Sequence, residues 1–371
     1  MESSSRVAVV IPSWNCLGDL ERCVESLRES DLDLELMVVD NGSTDGSVEW
    51  LEAAGVPHRP LPRNLGFAPA VNVGIEATEA PYVFVLNADT VVEADAIGRM
   101  VDALDADPAL GGVQPRLLKL IRGTECDRDD PDATIYSLGQ ALTTDGRARE
   151  DGIGQPQGTR EMTGREIFGV CGAACLLRRD MLGTVGLYDE SYFAFYEDVD
   201  LNVRARVAGW RFALVSDAVV WHVGNAAWHA GFSRPDAENA RLVARNRIWT
   251  QAKFVSARSL PRIFVIECGA MVRALFDRRF ALTLAGKAQG LLRLPNALRG
   301  RRRLARRGDL DLARVWLGES RRPAGAILRH PVPPPGTPTD RPQEGEEGPE
   351  SSDGAEPGHQ VGDAVPDINP G

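Results

Sequence analysis

The sequence predicts an α/β protein: a doubly wound, mostly parallel sheet followed by a C-terminal helical extension. Three observations carry that prediction. Apolar strand-like runs alternate with helix-patterned segments from Val7 onward. Several of those runs end abruptly in Asp or Asn, where a parallel sheet gathers its ligands. From Arg241 to about Arg307 the composition turns helical with no further strand pattern.

Taken in order, Val7 to Ile11 is a continuous aliphatic run closed by Pro12 and reads as a buried parallel strand. Leu20, Cys23, Val24 and Leu27 then recur at helical spacing. A second strand, Leu34 to Val39, ends at Asp40 in the polar turn Asn41-Gly42-Ser43-Thr44-Asp45-Gly46, and Ser47 to Ala54 looks helical. The alternation continues with a helix around Ala70 to Ala77, a strand from Tyr82 to Leu86, a helix near Ala94 to Leu104 and a strand near Gly112 to Leu118. Between about Arg122 and Arg165 periodicity vanishes, which predicts a long surface excursion beside an acceptor site. Regular structure resumes with a strand at Ala173 to Leu177, a helix from about Glu197 to Val207, and strands near Phe212 to Val215 and Val219 to His222. The division expected is a catalytic domain over 1–225, with halves at 6–118 and 166–225, then a basic helical region over 226–330 and an acidic tail over 331–371. Pro, Gly and Glu dominate that tail, and so few aliphatic residues cannot offset the entropy of ordering it.

Bulk properties narrow the function. A net charge of -11 argues against a nucleic-acid partner, since phosphate contact needs a basic footprint. The charge is uneven: eleven Arg between Arg293 and Arg329 face three acids, whereas beyond His330 nine carboxylates face only Arg341. Met1 to Arg6 lacks the apolar stretch of a secretion signal, so a cytoplasmic location is expected. Six scattered cysteines without Cys-x-x-Cys spacing read as reduced thiols and not as a zinc site. No segment reaches the roughly 18 to 20 uncharged apolar residues of a spanning helix; Ile263 to Phe276 is interrupted by Glu267 and Arg273.

Four places could carry chemistry. Asp40 is an acceptor-only carboxylate in a strand-end turn, suited to the ring N–H of a pyrimidine and equally suited to capping its own turn. Asn87-Ala88-Asp89-Thr90 ends an apolar run in groups fit for a hard divalent cation, Mg²⁺ or Mn²⁺, bridging donor phosphates, or for a helix cap. Glu197-Asp198-Val199-Asp200 puts three carboxylates at a helix start, where the macrodipole favours acids and where mutual repulsion could tune a general base. His222, closing Ala218-Val219-Val220-Trp221, could complete a metal shell or simply be a core histidine.

Their joint order is more telling. Ile11-Pro12-Ser13-Trp14-Asn15, Val39-Asp40-Asn41-Gly42-Ser43-Thr44-Asp45, Asn64-Leu65-Gly66-Phe67-Ala68, Leu86-Asn87-Ala88-Asp89-Thr90, Gly172-Ala173-Ala174, Glu197-Asp198-Val199-Asp200-Leu201 and Trp221-His222 occur in sequence. With these motifs, Arg6 to Asn225 resembles family two glycosyltransferases of the GT-A, nucleotide-diphospho-sugar transferase fold, particularly the non-processive rhamnosyltransferase-like members. The resemblance implies that Pro12, Ser13 and Asn15 line the nucleotide pocket, that Asp40 holds the base, and that Asn64, Gly66 and Phe67 flank the donor. It implies Asp89 and His222 as ligands of a divalent cation and Asp198 as the catalytic base. Gly172 and Ala173 would leave room for donor sugar or acceptor, with Glu197 and Trp228 on the acceptor side. Asn87 stands where many relatives carry Asp, so it is a donor-side residue that contributes little to the metal. The Gln-x-x-Arg-Trp signature of processive synthases is absent.

The implied activity is inverting transfer of a sugar, rhamnose by family similarity, from a dTDP- or UDP-linked donor to a hydroxyl of a glycan or lipid-linked acceptor in cell-envelope polysaccharide synthesis. A nucleotidyltransferase would need a Gly-rich basic loop after the first strand, which Pro12-Ser13-Trp14-Asn15 is not. A noncatalytic sugar-nucleotide-binding module would have no use for Asp89, Asp198 and His222 together. For the C-terminal helices, with Arg273, Arg293 and the cluster Arg299 to Arg307, two readings stay open: a peripheral membrane surface, or packing on the catalytic domain or in a homodimer.

Overall fold

Burial of the first aliphatic run sets the centre of the sheet. In the computed structural model, which describes residues 5–143, 146–159, 166–224, 235–255, 260–276 and 280–305, Val7 to Ile11 are all inaccessible to water. They lie in strand β1 (Val7–Ser13), followed by helix α1 (Leu17–Arg28), whose Leu20, Cys23, Val24 and Leu27 join Val7, Val9 and Ile11 in one apolar cluster. Strand β2 (Leu34–Asp40) runs parallel to β1 in a register that sets Asp40 opposite Ser13. Helix α2 (Ser47–Ala53) and strand β3 (His58–Pro60) complete this edge. Helix α3 (Phe67–Glu76) leads to strand β4 (Tyr82–Leu86), which is parallel to β1 on its other side. Strand β5 (Thr90–Val92), helix α4 (Ala96–Ala106) and strand β6 (Leu110–Lys119) follow.

The predicted excursion over 122–165 is not featureless. It contains β7 (Ile135–Ser137), β8 (Gln140–Leu142) and β9 (Ala148–Glu150), each three residues long and therefore too short to show a two-residue period. Strand β7 pairs with β6, while β8 and β9 form a separate antiparallel pair. Then come β10 (Glu166–Ile167), β11 (Ala174–Arg178), helix α5 (Arg179–Val185), helix α6 (Glu197–Val207) and β12 (Arg211–His222). The two strands expected near 212–215 and 219–222 are one strand with a register shift between Val215 and Val219. Such a bulge lets the run continue while re-aiming its end.

Across the main sheet the order is β10–β12–β6–β11–β4–β1–β2–β3, with β5 against β12 and β7 against β6. Strand β11 inserts antiparallel between β4 and β6, so the sheet is mixed and only mostly parallel. Its aliphatic run carries no sign of direction, because a strand buried on both faces reads alike either way.

Four helices end the described chain: α7 (Pro235–Phe254), α8 (Leu260–Phe276), α9 (Phe280–Leu292) and α10 (Leu294–Ala305). Helix α7 is tied to α6 through buried Lys253, whose Nζ lies 2.7 Å from Asp200 Oδ1 and 2.5 Å from Asp189 Oδ2. No helix among the described residues is long and apolar enough to cross a membrane, and all six cysteines are free. Trp228, Asn225 and the tail over 331–371 lie outside the described residues.

Candidate active site

The carboxyl ends of β1, β2 and β4 open onto a cavity of about 310 Å³ lined by residues from both halves of the sheet. Of the residues singled out in the sequence, Pro12, Ser13, Asn64, Gly66, Phe67, Asn87, Asp89, Gly172, Ala173, Glu197, Asp198 and His222 line it.

On the side of β1 and β2 the wall is held by amide side chains. Asn41 accepts from Leu65 N at 2.8 Å through Oδ1, and its Nδ2 donates to Gly66 O at 3.0 Å and Asn64 Oδ1 at 3.1 Å. That pinning presents the loop Asn64-Leu65-Gly66 to the cavity. Gly66 has φ +101°, and a Cβ there would sit 2.5 Å from Phe193 O, so only glycine fits. Asn15 and Asp40 are outside the lining. Asn15 Oδ1 accepts from Thr44 N at 2.8 Å, tying the turn after β1 to the turn after β2. Asp40 Oδ2 caps its own turn by accepting from Gly42 N and Ser43 N at 3.1 and 2.9 Å, while Oδ1 is buried with no partner among the described residues.

At the end of β4 the chain turns through Asn87-Ala88-Asp89, and β12 delivers His222 beside it, because His222 pairs in register with Thr90 of β5. His222 Nε2 lies 3.0 Å from Asp89 Oδ1 and 3.2 Å from Asn87 Nδ2, and its ring meets Tyr136 edge-on with centroids 4.4 Å apart. Two ligands at adjacent corners of an octahedral ion with bonds of roughly 2.1 Å are separated by roughly 3 Å. The pair therefore fits one divalent cation. Among the described residues no group of three or more His, Cys, Asp and Glu converges as a full cage.

The start of α6 also lines the cavity, and there the three carboxylates part company. Asp200, only 1% exposed, pairs with Arg204 and Lys253 and is structural. Glu197 is buried with Oε2 unpartnered among the described residues; burial first, then the Asp198 charge, pushes its carboxyl well above the usual range. Asp198 faces the cavity and accepts from Gln140 Nε2 at 2.7 Å, Gly172 N at 3.0 Å and Val199 N at 2.7 Å. Burial raises its pKa, while those N–H donors pull the other way. Gly172 thus acts through its backbone N–H; a Cβ there would make ordinary contact with Asp198 Oδ2 at 3.4 Å.

Residues outside the sequence motifs complete the site. Tyr136, Gln140 and Glu150 enter the lining from β7, β8 and β9, and Phe193 to Tyr196 from the loop before α6. Phe193, Phe195 and Tyr196 all have positive φ, and Asn246 of α7 holds them by donating from Nδ2 to Tyr192 O, Ala194 O and Phe195 O. Nothing local in the sequence marks these contacts, since each depends on a partner more than fifty residues away or on strands too short to read.

The model of the family described as Glycosyl transferase family 2 matches residues 8–186. The N-acetylglucosaminyl-diphospho-decaprenol L-rhamnosyltransferase of Mycobacterium tuberculosis (strain ATCC 25618 / H37Rv) is 31% identical over 240 residues, covering 58% of this chain and 75% of that protein. The uncharacterized glycosyltransferase YibD of Escherichia coli (strain K12) is 37% identical over 97 residues, covering 25% of this chain and 28% of that protein. Among solved structures, a mannosyltransferase from Pyrobaculum calidifontis in complex with GDP-Man and Mn²⁺ is similar with a TM-score of 0.45 and 17% identity, covering 86% of this chain and 89% of that one.

Proposed function

The chain belongs to glycosyl transferase family 2 and is a glycosyltransferase, and from that membership we propose an inverting, metal-dependent transfer of a sugar from a nucleoside diphosphate to a lipid-linked glycan hydroxyl. Rhamnose is the sugar suggested by the mycobacterial relative's name, and dTDP or UDP is the carrier proposed for it. One observation carries the reading: the Asp89–His222 pair and the Asp198 carboxylate line a single cavity.

The nucleotide would lie along Pro12, Ser13 and the Asn64–Phe67 loop. Asp40 lies outside the cavity lining with Oδ1 buried, so it would serve as an acceptor for a pyrimidine N–H only if the turn after β2 moved. A divalent cation held by Asp89 and His222 would offset the charge gathering on the leaving diphosphate. Asn87 Nδ2 lies 3.2 Å from the same His222 Nε2, a contact that a cation held there would replace. Asp198, with a proton affinity raised by burial, takes the acceptor's hydroxyl proton as the acceptor oxygen bonds to the anomeric carbon and the bond to the diphosphate breaks on the far face. Nucleoside diphosphate leaves and the anomeric configuration inverts. The exposed apolar faces of α8 and α9 support attachment to a membrane surface, where a lipid-linked acceptor would reside.

The test is donor turnover by the full chain against a panel of nucleotide sugars with Mg²⁺ or Mn²⁺. Metal-dependent release of nucleoside diphosphate, highest with dTDP-rhamnose or UDP-sugars, is expected. Release of pyrophosphate, or no release with any donor, would overturn the reading.

A further inference from the structure

Asp198 has a second carboxylate for a neighbour. Gln140 Nε2 donates at once to Asp198 Oδ2 at 2.7 Å and to Glu150 Oε1 at 3.1 Å. The amide cannot swing away or flip, because its Oε1 accepts from Asn202 Nδ2 at 2.9 Å. Glu150 is fixed from its other side by Ser137, whose hydroxyl accepts from Gln114 Nε2 at 2.9 Å and so turns its own proton to Glu150 Oε2 at 2.5 Å. Both carboxylates line the cavity, and neither has a cationic partner among the described residues. A neutral side chain would hold Gln140 as well without confining two like charges, so packing alone does not account for an acid at this position.

We propose that Glu150 is a positioning residue for the base: ionised, it makes Asp198 a stronger proton acceptor and holds it toward the acceptor through Gln140; protonated, it withdraws that help. The inference rests on Asp198 being the base. Its titration environment is defined. The titratable groups around Glu150 are Asp198 of α6, Tyr136 of β7 and Cys171 ahead of β11. Burial keeps the phenol and the thiol neutral. Burial first, and then the Asp198 charge, pushes the Glu150 carboxyl up to about 7. Coupling of two charges is reciprocal, so whatever Asp198 does to the proton on Glu150, an ionised Glu150 does to the proton on Asp198.

The experiment needs no substrate for its first readout. Full-length chain labelled with ¹³C at the glutamate carboxyl is titrated by NMR, with Glu150→Gln identifying the signal. A midpoint near 7 is expected in the wild type, falling by about one pH unit in Asp198→Asn as the like charge is removed. An unchanged midpoint in that variant would overturn the proposal. The second readout is the pH profile of donor turnover. Wild type should gain rate through pH 7, Glu150→Gln should lack that step with donor KM unaltered, and Glu150→Asp should restore it. A step that survives in Glu150→Gln, or one that Glu150→Asp fails to restore, would overturn it as well. If no variant and no wild-type chain turns over any donor while the NMR coupling is present, the charge coupling stands and the assigned function falls.

Discussion

Asp198, Glu197 and Asp200 are neighbours in sequence, and the fold gives each a different task. The helical turn directs Asp200 to Lys253 and Arg204, seals Glu197 inside, and leaves Asp198 on the cavity with three N–H donors. Replacing Asp198 with Asn keeps the shape and removes the proton acceptor. Donor binding should therefore persist, measured by calorimetry, while sugar transfer falls on the order of 10²–10⁴-fold; transfer at the wild-type rate would exclude Asp198 as base. Glu150 makes an opposite prediction for stability. Its carboxyl rises from an ordinary value of 4.5 to about 7 in the folded chain. The folded state then binds the proton more tightly than the unfolded one, so the associated stability is present at low pH and is lost as pH climbs from 4.5 through 7. Glu150→Gln should leave the urea midpoint nearly unchanged below about pH 4 and raise stability at pH 8 by about 1–2 kcal/mol, discounted for partial solvent contact. A variant that is more stable and slower is the signature of an acid kept for function.

Helix α7 belongs to the catalytic unit more than the sequence suggests. Lys253 places a buried cation between Asp200 and Asp189, and Asn246 spans the carbonyls of a loop with three non-glycine residues at positive φ. Such backbone costs about 1–3 kcal/mol per residue and persists only where the surroundings impose it. Lys253→Met would leave Asp200, which is 1% exposed, to Arg204 alone and should lower stability by about 1–3 kcal/mol in chemical denaturation; Lys253→Met with Asp200→Asn should recover part of that loss. Neither contact could be read beforehand, because one lysine in a helix does not name a partner 53 residues away. By contrast β1, β2, β4 and α6 were legible: their aliphatic runs or helical spacing are long enough to show a period, with Asp40 ending β2, Asp89 just past β4 and His222 closing β12. The strands bearing Gln140 and Glu150 have three residues each, and β11 reveals its antiparallel direction only through its neighbours. The residues proposed for the metal and the base are thus singled out by the sequence, whereas the wall that surrounds Asp198 is not.

The whole molecule carries a charge of -11, yet positions 260–305 hold ten Arg and Lys against Glu267 and Asp277. Glu267 is already paired with Arg247 and Lys287, and among the described residues Arg262, Arg273, Arg293, Arg299 and Arg302 are exposed. That same segment exposes Phe264, Val265, Val272, Leu275 and Phe276 along one side of α8, with Phe264 70% and Phe276 83% accessible. On α9 the exposed positions Ala281, Leu284, Ala285, Ala288, Leu291 and Leu292 carry no charge at all. Two coverings could bury these faces, a second copy or a bilayer. A second copy would set one basic surface against another, whereas anionic lipid gains about 1 kcal/mol from each nearby cation and accepts the apolar side chains besides. Full-length chain should accordingly float with vesicles containing phosphatidylglycerol, and binding should weaken as salt screens the cations. Vesicles of pure phosphatidylcholine should recover little. Phe264→Asp with Phe276→Asp, both on the open surface, should abolish flotation while leaving metal-dependent donor turnover intact. A stable dimer in light scattering together with no vesicle binding would assign the faces to a protein contact, and the lipid-linked acceptor would then have to reach the cavity by another route.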